Sequence, residues 1–143
     1  MTPAKGHSDT TTDGIRIRVG AQYVPEHSDP EGSTHLYAYR VILTNEGEAS
    51  AKLVSRRWII LDADNNQKEV SGPGVVGLNP DLPPGGSFEY MSHCPLATEW
   101  GTMEGSYQMV RENGEHFDAQ IGRFLLAPTA APLSELDAKV EVD

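Results

Sequence analysis

Apolar and polar residues alternate along most of this chain, and that pattern leaves few folds open. In the stretch IRIRVGAQYV, Ile15, Ile17 and Val19 fall on one face, whereas Arg16 and Arg18 fall on the other. A period of two predicts a half-buried strand. No segment shows a sustained apolar stripe with the 3.6-residue period of a helix. The chain is therefore expected to be all-β.

Other extended stretches repeat the pattern and are separated by turn residues. HLYAYRVILTN places Tyr37, Tyr39, Val41 and Leu43 on one face, and AKLVSRRWIILD is apolar on both faces near its end, as a central strand would be. Strands at roughly 8–12-residue spacing predict an antiparallel sandwich of two sheets. Two sheets are needed because a lone sheet cannot bury its apolar face. Trp58 is predicted at the centre of the resulting core.

Three local signals predict how the strands are connected or interrupted. A turn is expected at Asn65-Asn66. The pair Asn113-Gly114 lies between SYQMVRE and EHFDAQIG, which predicts a β-hairpin with a type I′ turn. Phe124–Leu126 break the alternation, so we expect a bulge or a strand end that is apolar on both faces.

Length, charge and cysteine content narrow the class of protein. A chain of 143 residues suits one domain with a single core. The net charge of −10 disfavours binding to nucleic acid and to anionic membranes. No apolar run approaches the ~20 residues that span a bilayer, and the N-terminal residues do not resemble a signal peptide. The single cysteine, Cys94, cannot form an intrachain disulfide, so a cytoplasmic location is expected.

The stretch SGPGVVGLNP contains G-x-G-x-x-G over Gly72–Gly77, the spacing found in dinucleotide-binding folds. That fingerprint needs a helix immediately after the glycines, because the helix N-terminus binds the pyrophosphate. Here Pro80, Pro83 and Pro84 exclude a long helix, and Pro73 removes an N–H group from the loop. A Rossmann-type site is therefore excluded.

Two interpretations of the glycine loop remain. Consecutive N–H groups of a glycine-rich turn can form a nest for an anion, and Arg56 lies close in sequence. Alternatively, the glycines only permit positive φ angles in a loop that is packed by its two valines. The residues assigned to the candidate phosphate loop are Gly72, Gly74, Val75, Val76, Gly77, Arg57 and Lys68.

Other motifs are weaker. DADNNQKEV begins like a calcium loop, but Gln67 and Pro73 stand where that loop needs Gly and Glu, so a polar hairpin tip is expected.

His93 and Cys94 are both potential metal ligands, yet no further Cys or His has the spacing of a metal site, and whether they contact a metal stays open. Nothing places a base beside Cys94 as nucleophilic catalysis requires. No catalytic residue, metal site or cofactor is assigned, and the chain is expected not to be an enzyme.

Four motifs in Gly72–Leu126 carry a resemblance to a known family. They are G-x-G-V-V-G, P-x-L-x-P-G, F-x-Y-x-S and G-x-M-x-G-x-Y-x-M. Together with YVPEHS and RRWIILD, they resemble the ApaG family over residues 14–128. The resemblance implies a sandwich similar to immunoglobulin and fibronectin type III domains. Outside it, residues 1–13 are predicted to be a flexible N-terminal segment and residues 129–143 a disordered acidic tail.

The resemblance also carries functional expectations. ApaG proteins of bacteria are stand-alone, and some are associated with cobalt resistance and magnesium efflux, whereas eukaryotic ApaG domains look like interaction modules. The resemblance implies a non-enzymatic binding module that serves protein–protein interaction or regulation, with an unidentified protein partner. The alternative is a sensor that binds pyrophosphate or a nucleotide at Gly72–Gly77, where the family has a suggested pyrophosphate site. This chain departs from its relatives at His93, where glycine is common, and at Arg57, where an aromatic residue is frequent.

Overall fold

The computed structural model describes residues 6–128 and consists of antiparallel strands with two short 3₁₀ turns. The predicted acidic tail over residues 129–143 lies outside the described residues. The 3₁₀ turns are Pro25–His27 and Pro30–Gly32. The strands are β1 His7–Thr12, β2 Ile15–Tyr23, β3 His35–Asn45, β4 Ala51–Asp62, β5 Gln67–Pro73, β6 Asp81–Leu82, β7 Ser87–Leu96, β8 Gly101–Arg111 and β9 His116–Leu126.

The strands form two sheets, which confirms the predicted antiparallel two-sheet sandwich. The first sheet has the order β1-β2-β3-β7, and the second has the order β5-β4-β8-β9, with the two-residue β6 paired to β4. Every pairing is antiparallel. As its two-sided apolar pattern predicts, β4 is central and lies between β5 and β8.

The apolar faces of both sheets meet in one core. Trp58 is 2% exposed and lies at its centre, as predicted. Its ring makes edge contacts with Tyr39, Tyr107 and Phe124 at centroid distances of 5.3, 6.2 and 6.1 Å. Such edge-to-face pairs contribute about 0.5–1.5 kcal/mol each beyond the area that they bury. The alternating residues of β2 and β3 supply much of the first sheet's contribution to this core.

One side of the sandwich is closed by β1, which corrects the N-terminal prediction. Residues 7–12 were expected within a flexible segment but form an edge strand paired to β2. The Ser8 hydroxyl donates to the Gly122 carbonyl at 2.7 Å, and the Gln120 N–H donates to Thr12 Oγ1 at 3.2 Å. The polar residues of β1 therefore bond across to β9, a contact that composition alone does not reveal. On the opposite side, β5 and β7 are the edge strands.

The hairpin at Asn113-Gly114 exists, but its predicted type I′ turn is wrong. Only Gly114 has a positive φ, of 86°, whereas type I′ needs positive φ at both central residues. Gly114 N–H donates to the Arg111 carbonyl, and the N–H of Glu115 donates to Asn113 Oδ1. This side-chain bond favours a type I turn followed by a left-handed glycine, a three-residue connection.

The other connections follow the sequence predictions. Asn65 adopts a positive φ of 64° at the predicted turn, and Asp62 Oδ1 accepts the N–H groups of Asp64 and Asn66. That arrangement is the polar hairpin tip expected for DADNNQKEV. The register between β8 and β9 shifts between Met103 and Gly105, opposite the residues just before Phe124. The expected bulge is therefore present.

Candidate functional site

The candidate site is the glycine loop, Gly72–Leu78, which leaves the edge strand β5 and turns back sharply. Gly72 is still part of β5 and pairs with Arg56 of β4. Gly74 has a φ of +56° and donates its N–H to the Val54 carbonyl at 2.9 Å. Val54 lies where the register between β4 and β8 shifts, so a bulge receives the loop.

The loop ends in a two-residue hairpin turn, Val75–Leu78. Val75 N–H donates to the Leu78 carbonyl, and Leu78 N–H donates to the Val75 carbonyl, both at 2.8 Å. The central residues Val76 and Gly77 have φ angles of 43° and 80°. Positive φ at both central positions is the signature of a type I′ turn. A β-branched residue is strained in this region, so Val76 is an unusual occupant.

Two side chains fasten the loop to β4. Arg56 Nη1 donates to the carbonyls of Pro73 and Gly74, both at 2.9 Å. Asn79 Nδ2 donates to the carbonyls of Leu53 and Val54 at 3.2 and 3.1 Å. Hydrogen bonds from a charged donor contribute more than neutral ones, so Arg56 is the stronger anchor.

The packing of the loop leaves no space for a side chain at Gly74. A Cβ built on Gly74 would lie 2.3 Å from the Leu78 carbonyl oxygen, and the positive φ adds to the cost. Val75 is 1% exposed and belongs to the core, so its side chain also anchors the loop to the sandwich. The glycine spacing therefore encodes a compact, internally bonded hairpin.

The tip of this hairpin is apolar and exposed. Val76 is 56% exposed, Leu78 53% and Val54 39%. We call these three residues the loop-tip patch. They account for three of the five exposed large apolar residues in residues 6–128. Exposed apolar residues scattered singly need no explanation, whereas a group formed by a loop and the strand beside it points to an interaction site.

The predicted phosphate nest is only partly available in this geometry. The nest would consist of the N–H groups of Gly74, Val75, Val76 and Gly77, and those of Gly74 and Val75 donate to carbonyls of the protein. The N–H groups of Val76 and Gly77 make no hydrogen bond within the described residues. The guanidinium nearest the loop, that of Arg56, already binds two loop carbonyls.

The two basic residues assigned to the phosphate loop lie away from it. Arg57 is exposed and pairs with Glu69 at 3.0 Å, a contact that raises the pKa of Arg57 and lowers the pKa of Glu69. Lys68 instead lines a cleft with Trp58 and Cys94. The structure thus brings Gly72–Gly77 together with Arg56, whose proximity in sequence was visible, but not with Arg57 or Lys68.

Sequence reasoning missed Val54, Leu78 and Asn79 as parts of this site. Leu78 directly follows the glycine motif, so its apolar side chain was a usable signal. Val54 could not be found in this way, because a bulge places it beside the loop and no residue pattern marks that bulge. Asn79 is a common turn residue, and only the structure shows that its amide spans two carbonyls of β4.

The other sequence candidates have defined surroundings. Cys94 is 3% exposed, and burial raises the pKa of its thiol to about 11. Within residues 6–128, no three His, Cys, Asp or Glu side chains converge as metal ligands would. Across the same range, we find no helix with the length and hydropathy needed to span a membrane.

Comparison with known proteins identifies the relatives of this chain. The model of the ApaG domain matches residues 25–111. Protein ApaG of Dechloromonas aromatica is 49% identical over 124 residues, covering 87% of this chain and 98% of that protein. Protein ApaG of Thiobacillus denitrificans is 51% identical over 113 residues, covering 79% of this chain and 89% of that protein.

A solved structure agrees with the fold. The crystal structure of a Bordetella pertussis protein described as ApaA superposes with a TM-score of 0.79 at 44% identity. The match covers 90% of this chain and 100% of that one. Family model, relatives and structure cover the same domain, and they confirm the resemblance seen in the sequence motifs. The chain belongs to the ApaG domain family.

Proposed function

We propose that this chain is a non-enzymatic binding module that recognises a partner protein through the loop-tip patch. The observation that carries the proposal is Val76, an exposed apolar side chain at the tip of a fastened hairpin, in a backbone conformation unfavourable for valine. Strain of this kind costs about 1–3 kcal/mol and concentrates at functional sites. Asparagine would fit the same position without that cost.

The anchoring of the loop supports the same proposal. Arg56 and Asn79 bind the loop from two directions, and Val75 is embedded in the core. A hairpin that is already ordered loses little conformational entropy when a partner covers it. Val76 and Leu78 would then enter an apolar pocket of the partner as preformed anchors.

The state of the one cysteine is consistent with a non-enzymatic module. The buried thiol of Cys94 is kept protonated at neutral pH, which disfavours it as a nucleophile.

We also propose that the binding module has a regulatory role. The association of some family members with cobalt resistance and magnesium efflux would then act indirectly, through the partner protein. We place this interaction in the cytoplasm.

The substitution Val76→Asn tests the proposal, because it removes the apolar tip and keeps the turn. Tagged wild-type and V76N proteins are compared by quantitative mass spectrometry of the proteins that each captures from cells of the source organism. Met91→Gln is the matched control, since Met91 is 52% exposed but lies on β7. We expect a partner that both wild type and M91Q bind and that V76N loses.

Two results would contradict this function. One is that V76N captures the same proteins with the same affinity as the wild type, which would remove the loop-tip patch from recognition. The other is that the wild type captures no specific partner at all. Loss of the partner in V76N supports the proposal only if V76N is folded, which its urea unfolding curve checks.

A second candidate is a sensor for pyrophosphate or a nucleotide at the same loop. It is favoured by the N–H groups of Val76 and Gly77, which make no hydrogen bond within the described residues and follow one another in a turn. Successive backbone donors of this kind can bind an anion, with Mg²⁺ as a bridging ion. This function predicts that pyrophosphate shifts the amide resonances of those two residues in a saturable way.

A further inference from the structure

A second site lies away from the loop, between the two sheets on the side where β5 and β7 are the edge strands. There the sheets leave a cleft of about 100 Å³. Its apolar walls include Ile60, Val70 and Met103, and Trp58 also lines it. The cleft is independent of the loop-tip patch, because no residue of that patch lines it.

The indole of Trp58, a residue that lines this cleft, has an N–H group without a hydrogen-bond partner among the described residues. Trp58 is 2% exposed, and its Nε1 atom is buried without an acceptor among the described residues. An indole N–H can only donate a hydrogen bond, so it needs an acceptor atom to be satisfied. A buried donor without a partner is destabilising, and such groups need an explanation. A ligand atom that accepts this hydrogen bond would supply one.

The charge at the cleft is positive. Lys68 lines it, and the Lys68 ammonium makes neither an ion pair nor a hydrogen bond with any residue between 6 and 128. Burial raises the pKa of the neighbouring Cys94 thiol, and the Lys68 ammonium partly offsets this rise. The lining residues from the described range include His93 but no Asp or Glu. An anionic ligand would therefore meet no repelling carboxylate among these lining residues.

We propose that this cleft binds a short-chain aliphatic carboxylate, with the carboxylate accepting from Trp58 Nε1 beside the Lys68 ammonium. The alkyl chain contacts Ile60, Val70 and Met103. A dry cavity of about 150 Å³ accommodates benzene, so the smaller volume here suits ligands up to roughly the size of butyrate. The apolar walls disfavour a fully polar anion such as phosphate, because its remaining acceptors would lose water without new donors.

The chain contains an internal reference for the test. Its second tryptophan, Trp100, is 49% exposed and does not line the cleft. Titration of ¹⁵N-labelled protein with butyrate should shift the indole resonance of Trp58 saturably and leave that of Trp100 in place. Butanol, which has the same chain length without the charge, should bind more weakly.

Two variants assign the contacts. Lys68→Gln should weaken butyrate binding by about fivefold, because it removes a nearby positive charge. Lys52→Gln, at an exposed lysine of β4 outside the cleft, should leave binding unchanged. Trp58→Phe keeps an aromatic ring and removes the donor, so the saturable backbone shifts at Lys68 and Cys94 should disappear.

Several outcomes would overturn the proposal. They are an unshifted Trp58 indole at tens of millimolar butyrate, equal shifts of both indoles, binding of butanol as tight as that of butyrate, or unchanged affinity in K68Q. Folded W58F that binds with wild-type affinity would also overturn it. If W58F does not fold, the butyrate affinity of K68Q and the comparison with butanol decide whether the proposal holds.

Discussion

Two turns of this protein, Val75–Leu78 and Arg111–Glu115, show opposite relations between sequence and conformation. The second turn contains Asn113-Gly114, the pair best suited to a type I′ turn, yet only Gly114 has a positive φ. The first turn contains Val76-Gly77, a poor pair for that geometry, yet it has positive φ at both positions.

The difference between the turns lies in their anchoring. Asn113 uses its own side chain to accept the Glu115 N–H, so local chemistry decides that turn. Val76 has no such bond, and its backbone is imposed by the surrounding contacts of Arg56 and the buried Val75. Val76 is apolar, exposed and strained, and contacts outside its own turn hold it in this conformation. We propose that contact with a partner protein explains this combination.

The largest expected effect comes from adding a methyl group to Gly74, directly before the first turn, and Gly114 of the second turn provides the control. Gly74→Ala should destabilise the protein by about 3 kcal/mol, because the new Cβ would meet the Leu78 carbonyl oxygen in a left-handed backbone. Gly114→Ala has the same φ penalty but no atom within 4 Å, so it should cost about 1 kcal/mol. Urea unfolding measures both. Equal losses would show that the loop is loosely packed.

Removal of the anchor should have the next largest effect. Arg56→Gln loses both hydrogen bonds to Pro73 and Gly74, so we expect a loss of about 2 kcal/mol and faster amide hydrogen exchange at Gly74 and Val75. The matched control is Arg57→Gln, which breaks only an exposed ion pair with Glu69 and should leave the urea midpoint unchanged. Unchanged exchange at Gly74 in R56Q would contradict the anchoring role.

A reciprocal exchange of the two turn residues should give the smallest effects, with opposite signs. Val76→Asn should stabilise the protein by about 1 kcal/mol, because asparagine tolerates the left-handed region. Asn113→Val should destabilise it by about 1 kcal/mol, because the Glu115 N–H loses its side-chain acceptor. Thermal and urea unfolding of both variants provide the check. Loss of stability in V76N would mean that Val76 is a packing residue.

Most of the fold could be predicted from the sequence, because alternation reports which face of each strand is buried. The inner positions of β2 and β3 and the central place of Trp58 followed from this rule. The strand β1 did not, since its residues are polar and its partners on β9 lie more than 100 residues away in the chain. Contacts of that separation leave no local pattern.

The candidate site was only partly predictable. The glycines marked the loop, and the prolines after it excluded a dinucleotide fold, but proximity in sequence misplaced Arg57 and Lys68. Adjacent residues of a strand point to opposite faces, so Arg56 and Arg57 could not both reach the loop. The type I′ turn at Val76-Gly77 was not foreseen, because turn preferences describe local energy and the surrounding contacts override them.

We propose that Gly72–Leu78 form an apolar recognition hairpin and not an anion site. The most direct test is a backbone amide titration of the wild-type protein with pyrophosphate, with and without Mg²⁺. We expect the resonances of Val76 and Gly77 to stay in place at millimolar pyrophosphate. Saturable shifts centred on those two residues would contradict it and would make the loop a phosphate site.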